Sequence, residues 1–142
     1  MNYIELKTEK KKYYDSIKEI YSEALGVQVH FNAKGFNHIT FKNPRNLRSI
    51  PEQIYRLKIF DTAVKLLKLA NTYQEYEEIE NVDTKKITYY WGIIAIIDNL
   101  KLKVILRRIG NGQTHFWSVI PGYTSSEKRD RKFKIKGDPD SD

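Results

Sequence analysis

The sequence predicts an α+β protein in which N-terminal helices pack on one face of an antiparallel sheet of about four strands. In two stretches of the first half, apolar residues recur every three or four positions, as in amphipathic helices. Residues 86–120 are instead rich in Ile, Val, Tyr, Phe and Trp, and Asp98-Asn99 and Asn111-Gly112 interrupt them as typical turn pairs. We therefore expect three antiparallel strands in residues 86–120.

The first helix is expected within residues 7–25, where Tyr13 and Ile17 share one face and Gly26 provides a stop signal. The alternation of apolar and polar residues over 27–32 then indicates a short strand. Either this segment or residues 36–41 supplies the fourth strand of the sheet.

A second long helix is expected to begin at Ser49, whose hydroxyl can accept a hydrogen bond from the backbone of Glu52, and to run to about residue 70. Thr72 and Glu75 repeat this spacing. The repeated pattern predicts a shorter, acidic helix that runs through Ile79.

The two turn pairs predict how the last three strands align. If both loops have two residues, Tyr90 lies level with Arg107, and Ser118 faces the same way. Arg108 and His115 then lie opposite each other at the turn end of the face that the helices cover. The opposite, open face mixes cations, hydroxyls and aromatics, and includes Tyr90, Lys101, Lys103, Arg107, Thr114, Phe116 and Ser118.

Length and composition restrict the classes of function. A chain of 142 residues predicts one domain, here residues 1–121, followed by a charged, flexible C-terminal tail over residues 122–142. The absence of cysteine excludes disulfides, a thiolate nucleophile and zinc sites built on sulfur. No apolar stretch reaches the ~18–20 residues of a membrane span, and the N-terminus lacks an apolar leader, so we expect a soluble cytoplasmic chain.

The positive charge suggests a polyanionic partner. Lys and Arg number 25 against 18 Asp and Glu, for a net charge of +7, and 13% of the residues are aromatic. Cations neutralise phosphates and aromatic faces stack on unpaired bases, so the composition favours a nucleic acid among polyanionic ligands. The candidate partner is RNA, either tRNA or mRNA. A merely solvated surface is the alternative. The candidate RNA-binding residues are Arg45, Tyr90, Lys101, Lys103, Arg108 and Phe116.

The three histidines, His30, His38 and His115, are candidates for proton transfer. RNA cleavage without a metal needs a base for the 2′-hydroxyl proton, an acid for the 5′-oxygen and a cation for the charge on phosphate. The sequence has no His-x-His, His-x-x-x-His or Asp-x-Asp pattern on a predicted rigid element, so we expect neither a metal nor another cofactor.

Two motifs carry a resemblance to a known family: Gly35-Phe-Asn-His38-Ile39, and the pair of stretches 103–112 and 115–119. In this order the chain resembles the barnase–EndoU–colicin–RelE-like ribonucleases, in particular their phage-associated branch. The resemblance implies that RNA is cut without metal on the face opposite the helices, leaving a 2′,3′-cyclic phosphate. It also implies that His38 and Ser118 are site residues.

The sequence departs from the family pattern after His38. Lys42-Asn43-Pro44-Arg45 stands where members of the branch often carry an Arg/Lys-His pair, so the second acid or base is not identified. Our leading hypothesis is a toxin-type, metal-independent endoribonuclease of a mobile element, with His38, Arg107, Ser118 and His115 as catalytic candidates. Such a toxin can have an antitoxin or immunity protein as partner. One alternative is a non-catalytic RNA-binding or partner-binding module, and another is a structural or interaction protein of a mobile element.

Overall fold

The computed structural model describes residues 1–122 and 138–142. Within them lie the helices α1 (Tyr3–Ile17), α2 (Ala33–Thr40) and α3 (Ile50–Leu69). The strands are β1 (Glu19–Ser22), β2 (Val27–His30), β3 (Phe41–Asn43), β4 (Asn46–Leu47), β5 (Glu75–Glu80), β6 (Ile87–Ile97), β7 (Leu100–Ile109) and β8 (His115–Pro121). No described helix is both long and apolar enough to cross a bilayer.

The predicted α+β class is confirmed, and the sheet is larger than expected. Six of the described strands form a mostly antiparallel sheet in the order β1-β2-β8-β7-β6-β5, while β3 and β4 form a separate hairpin. Helix α3 packs on the sheet and buries most of the apolar core. Core residues from α3 and the sheet include Leu57, Phe60, Val64, Ile93, Leu102, Val104 and Leu106.

The first helix is shorter than its sequence pattern predicts. It ends at Ile17 because Lys18 adopts a positive φ of 64°, and Glu19–Ser22 then pairs as β1 with β2. Gly26, at φ 71°, lies in the turn of this hairpin instead of ending a helix. Pairing with β2 thus outweighs the helical periodicity of residues 18–25.

The second long helix begins and ends close to the predicted positions. The Ser49 hydroxyl accepts the backbone N–H of Glu52 at 3.3 Å, and the helix ends at Leu69. Of the two segments considered for the fourth strand, residues 27–30 join the sheet, whereas residues 36–40 belong to α2.

The predicted acidic helix over residues 72–79 is wrong, because Glu75–Glu80 is the edge strand β5 and pairs with β6.

The prediction that Lys103 lies on an open, solvated face is also wrong, because Glu75, the first residue of β5, pairs with it inside the protein. The carboxylate of Glu75 lies 3.0 Å from the ammonium of Lys103, and both side chains are buried. The strand thus provides a counter-charge for a lysine inside the protein.

The β6–β7 hairpin has the predicted register. Asp98 and Asn99 have φ values of 53° and 64°, as a two-residue type I′ turn requires. Tyr90 pairs with Arg107 as expected.

The β7–β8 hairpin differs from the prediction at one point, a β-bulge. Ile105 pairs with Ser118 as predicted, but Leu106 then pairs with Phe116, so Trp117 is an extra residue in β8. Phe116 consequently packs in the main core rather than on the open face. Trp117 instead joins a second cluster with Tyr90 and Ile105.

The bulge also changes the pairing next to the turn. His115 lies opposite Arg107 and not opposite Arg108, so the prediction that His115 faces the helices is wrong. Asn111-Gly112 is not the predicted two-residue turn, because the bulge shifts the register by one residue on the turn side of the ladder and Arg107 pairs with His115, with residues 108–114 between them. Positive φ in this loop occurs at Gly110, at 54°.

Helix α2 lies beside β8, with which β2 pairs at His30 and His115. The close approach depends on Gly35. A Cβ atom there would collide with the backbone oxygen of Phe116 and the hydroxyl of Tyr14. The glycine of the Gly-x-x-His motif therefore permits the contact that places His38.

We predict that Gly35→Ala lowers the free energy of unfolding by roughly 1–3 kcal/mol, as overpacking does in a close-packed interior. Urea denaturation measures this. The control Lys34→Ala, an exposed position in the same helix, should change the value by less than about 0.5 kcal/mol. Equal stability of both variants would contradict the packing argument.

Candidate functional site

A cleft of about 630 Å³ opens between α2, the β3–β4 hairpin and the bulged end of β8. His38 and Trp117 form part of its wall, and Arg107 contributes a cation. Lys34, Lys42 and Asp140 also line it. Asn37, Phe41, Asn43 and Pro44 complete the lining, so the cleft combines one imidazole and three cations with amide, aromatic and apolar side chains.

His38 lies in the last turn of α2, and its ring stacks on Trp117 with centroids 4.0 Å apart. Nη2 of Arg48 lies 3.1 Å from its Nε2. Because a guanidinium only donates, this nitrogen accepts and the imidazole is neutral. Burial lowers the pKa of His38 to about 3, and the neighbouring Arg48, Arg56 and Arg107 add to the effect.

Two further arginines lie near His38: Arg48, just before α3, and Arg56, within that helix. Arg48 Nε donates to the backbone oxygen of His38 at 3.0 Å, and Arg56 Nη1 donates to the Ser118 hydroxyl at 2.9 Å. Both arginines are only 6% exposed. Glu52 is their nearby counter-charge, at 3.4 Å from Arg48 and 3.9 Å from Arg56. Burial, followed by the charge of Arg48, lowers the pKa of Arg56 to about 10, so it stays charged at neutral pH.

Arg107 contacts both the Trp117 indole and the His115 imidazole. Its guanidinium carbon lies 3.4 Å from the centroid of the Trp117 ring, and its Nε donates to His115 Nε2 at 3.0 Å. The other nitrogen of His115 lies 3.3 Å from the backbone oxygen of Gln113, which fixes the proton on Nδ1. Burial and Arg107 lower the pKa of His115 to about 4. His115 therefore orients Arg107 through this hydrogen bond, and it does not line the cleft.

Tyr90 lies next to Arg107 across the β6–β7 pair. Its hydroxyl donates to the carboxylate of Asp140 at 3.2 Å. Burial, with the negative charge of Asp140, raises the pKa of Tyr90, so the phenol is protonated at neutral pH.

The chain segment Asp138–Asp142 lies over these residues. The Trp117 indole donates to the backbone oxygen of Pro139 at 2.8 Å. The backbone oxygen of Asp142 accepts from Arg56 at 2.6 Å, from Ser118 at 2.8 Å and from Arg48 at 3.1 Å. The rest of the predicted charged tail, residues 123–137, lies outside the described residues.

The structure brings five of the sequence-predicted residues together around Trp117: His38, Tyr90, Arg107, His115 and Ser118. Ser118 bonds to Arg56, however, and Arg107 bonds to His115. The predicted joint action of Arg107 and Ser118 thus involves residues of α3 that the prediction lacked.

The other predicted residues lie elsewhere. Arg45 is exposed in the loop between β3 and β4, beside the cleft, and Lys101 is partly exposed near the start of β7. Arg108 packs over the ring of Tyr89, 4.3 Å from its centroid. Lys103 is paired with Glu75 and Phe116 is packed in the main core, both away from the cleft, so neither can bind RNA from this position.

Sequence reasoning missed Arg48, Arg56 and Trp117 as site residues. One signal was available for Arg56, because it lies next to Leu57 and one turn from Phe60 in the apolar stripe of α3. A cation on the buried face of a helix needs a partner, and such partners often mark a site. Arg48 gave no comparable signal, and the role of Trp117 depends on the bulge.

Among residues 1–122 and 138–142 there is no group of three or more His, Asp or Glu side chains that could hold a metal ion. Comparisons with protein-family models, with curated proteins and with solved structures give no match. The function must therefore be argued from the geometry of the cleft itself.

We predict that the two neutral imidazoles make stability depend on pH. His38 and His115 have pKa values of about 3 and about 4 in the folded protein, against 6.5 for an ordinary histidine. From pH 6.5 down to pH 5 the unfolded chain therefore binds more protons, and the free energy of unfolding falls. Each histidine contributes up to about 1.4 kcal/mol per pH unit.

Urea denaturation between pH 6.5 and pH 5 measures this slope. His38→Gln and His115→Gln should each reduce it, and the double variant should reduce it further. A double variant with the slope of the unmodified protein would show that folding does not lower the pKa of either imidazole.

Proposed function

We propose that the protein is a metal-independent endoribonuclease that cleaves RNA by attack of a 2′-hydroxyl on the adjacent phosphate. The observation that carries the proposal is a neutral imidazole, His38, on the wall of a cleft that Arg107 also lines. The buried cations Arg48 and Arg56 lie beside it. A base beside several cations is the combination that this reaction requires. The resemblance of Gly35-x-x-His38-Ile39 to a ribonuclease motif supports the same reaction class.

The proposed reaction uses the protonation states that burial sets at neutral pH. His38, which is neutral, accepts the 2′-hydroxyl proton. The 2′-oxygen then bonds to phosphorus as the bond to the 5′-oxygen breaks. Tyr90, which is protonated and lies next to Arg107, donates the proton that the leaving 5′-oxygen acquires. The products are a 2′,3′-cyclic phosphate and a 5′-hydroxyl end.

The arginines stabilise the extra charge on phosphate. Arg107 is suited to this role because stacking on Trp117 and the bond to His115 fix its orientation before substrate binds. His115 acts through Arg107 and is thus a positioning residue. Ser118, bonded to Arg56, can donate a further hydrogen bond to a non-bridging oxygen.

A non-catalytic RNA-binding module is the second candidate, and one observation favours it. The Nε2 atoms of both His38 and His115 accept hydrogen bonds from arginines, so neither lone pair is free for a proton in this arrangement. Cleavage requires Arg48 to leave His38. Activity in the presence of EDTA distinguishes the two candidates.

We predict that His38→Ala lowers the rate of RNA cleavage in EDTA by about 100-fold or more, the usual contribution of a general base. Cleavage of a short fluorescent RNA measures it. His30→Ala is the matched control, because His30 lies on β2 and faces Glu19, at 3.5 Å, instead of the cleft. A folded His38→Ala variant with the unmodified rate would refute the assignment of the base.

We also predict that Arg107→Ala lowers kcat by on the order of 100-fold, as loss of a preorganised electrostatic contact does. Lys101→Ala serves as the control, since Lys101 lies near the start of β7, away from the cleft. It should leave kcat unchanged. An equal loss of kcat in both variants would instead indicate a general effect of surface charge.

A further inference from the structure

We propose that Arg48, Arg56 and Ser118 form a binding site for one phosphate group and that the segment Asp138–Asp142 occupies this site as a tethered competitor. The inference rests on the proposed function for the identity of the ligand, a phosphodiester of RNA. The occupancy of the site by the segment does not depend on catalysis.

The first argument is the number of donors on one oxygen. The backbone oxygen of Asp142 has two guanidinium nitrogens and a hydroxyl within 3.1 Å. Charged donors that converge in this way stabilise an oxygen carrying negative charge, as phosphate oxygens do. All three donor side chains are more than nine-tenths buried, so the site is built into the fold.

The second argument is that the segment does not give every guanidinium N–H of Arg48 and Arg56 its own acceptor. Nη2 of Arg48 has two hydrogens but lies within 3.1 Å of three acceptors, on His38, Ser141 and Asp142. Nε of Arg56 is buried and has no hydrogen-bond partner among the described residues. A tetrahedral phosphate offers more acceptor oxygens to these guanidinium groups than the segment does.

The negative charge and the turn of Asp138–Asp142 explain why this segment binds at the arginines. It carries three aspartates, and the carboxylate of Asp140 lies 4.0 Å from Arg107. Its turn is closed by Asp138, whose carboxylate accepts the N–H of Asp140 at 3.1 Å and whose backbone oxygen accepts the N–H of Asp142 at 2.8 Å. The turn directs the oxygens of Pro139, Ser141 and Asp142 at Trp117 and the arginines.

The segment and an RNA phosphate cannot occupy the site together, because both need Arg48, Arg56 and Ser118. Because the segment belongs to the same chain, its binding does not weaken on dilution. RNA therefore binds only the fraction of molecules whose segment has left, and its apparent affinity is reduced by that fraction. Departure of the segment also removes two of the oxygens that hold Arg48 near His38.

The test compares two variants of the full chain. In the release variant, Asp138→Ser, Asp140→Ser, Asp142→Ser and Pro139→Gly remove the charges and the stiffness of the segment. The matched control removes three exposed aspartates from elsewhere in the chain by Asp15→Ser, Asp61→Ser and Asp98→Ser. Both variants lose three negative charges, so a difference between them reports the segment alone.

The readout is the Kd of a fluorescent oligodeoxynucleotide, which has no 2′-hydroxyl and so cannot be cleaved by the proposed reaction. We expect the release variant to bind at least about tenfold more tightly than the control. Arg56→Gln in the release variant should reverse most of that gain. Equal binding by the release and control variants would overturn the proposal, whether or not the protein cleaves RNA.

A second measurement uses the unmodified chain and inorganic phosphate. If phosphate displaces the segment, the amide signal of Ser141 and the indole N–H signal of Trp117 should shift together in NMR spectra, with the same midpoint. Phosphate that binds without moving the Trp117 indole signal, which reports the bond to Pro139, would overturn competition. An absence of any shift would overturn the phosphate site.

Discussion

One extra residue in β8 determines how the site is built. The bulge at Trp117 lets Phe116 fill the core on one side of the sheet while Trp117 turns toward the cleft. The Trp117 ring then has His38 stacked on it and the guanidinium of Arg107 3.4 Å from its centroid. Without the bulge, Trp117 would face the helices, and neither side chain would have its present support.

The second constraint is electrostatic. Arg48, Arg56 and Arg107 are each less than a tenth exposed, and the nearest carboxylates are those of Glu52 and the segment Asp138–Asp142. The three arginines repel one another, and burying them costs desolvation free energy. Hydrogen bonds from their guanidinium groups to imidazoles, hydroxyls and backbone oxygens offset this cost. Burial, together with the same positive charge, keeps His38 neutral. A site of this kind is prepared for an anion even when a segment of the chain covers it.

The sequence predicts those features of the fold that depend on local signals. The Ser49 cap fixes the start of α3, the Asp98-Asn99 turn fixes the β6–β7 register, and the apolar period of α3 predicts its core face. Local signals fail where tertiary pairing competes with them, as at Glu75–Glu80, where a capping pattern lies in an edge strand.

The candidate site could be predicted only in part, for the same reason. His38 was identified by its motif and Arg107 by strand register, and both line the cleft. The partner of His115 could not be inferred, because a bulge shifts the register without a marker in the sequence. The contacts of Arg48 and Arg56 involve residues up to 94 positions away, which no local pattern encodes.

The most direct test of the account is the chemistry of the ends left on RNA. A short RNA of defined sequence is incubated with the protein in EDTA, and the fragments are weighed by mass spectrometry. The account predicts 5′ fragments that end in a 2′,3′-cyclic phosphate, each lighter by one water than the linear phosphate, and 3′ fragments that begin with a 5′-hydroxyl. Intact RNA, or fragments that begin with a 5′-phosphate, would contradict it.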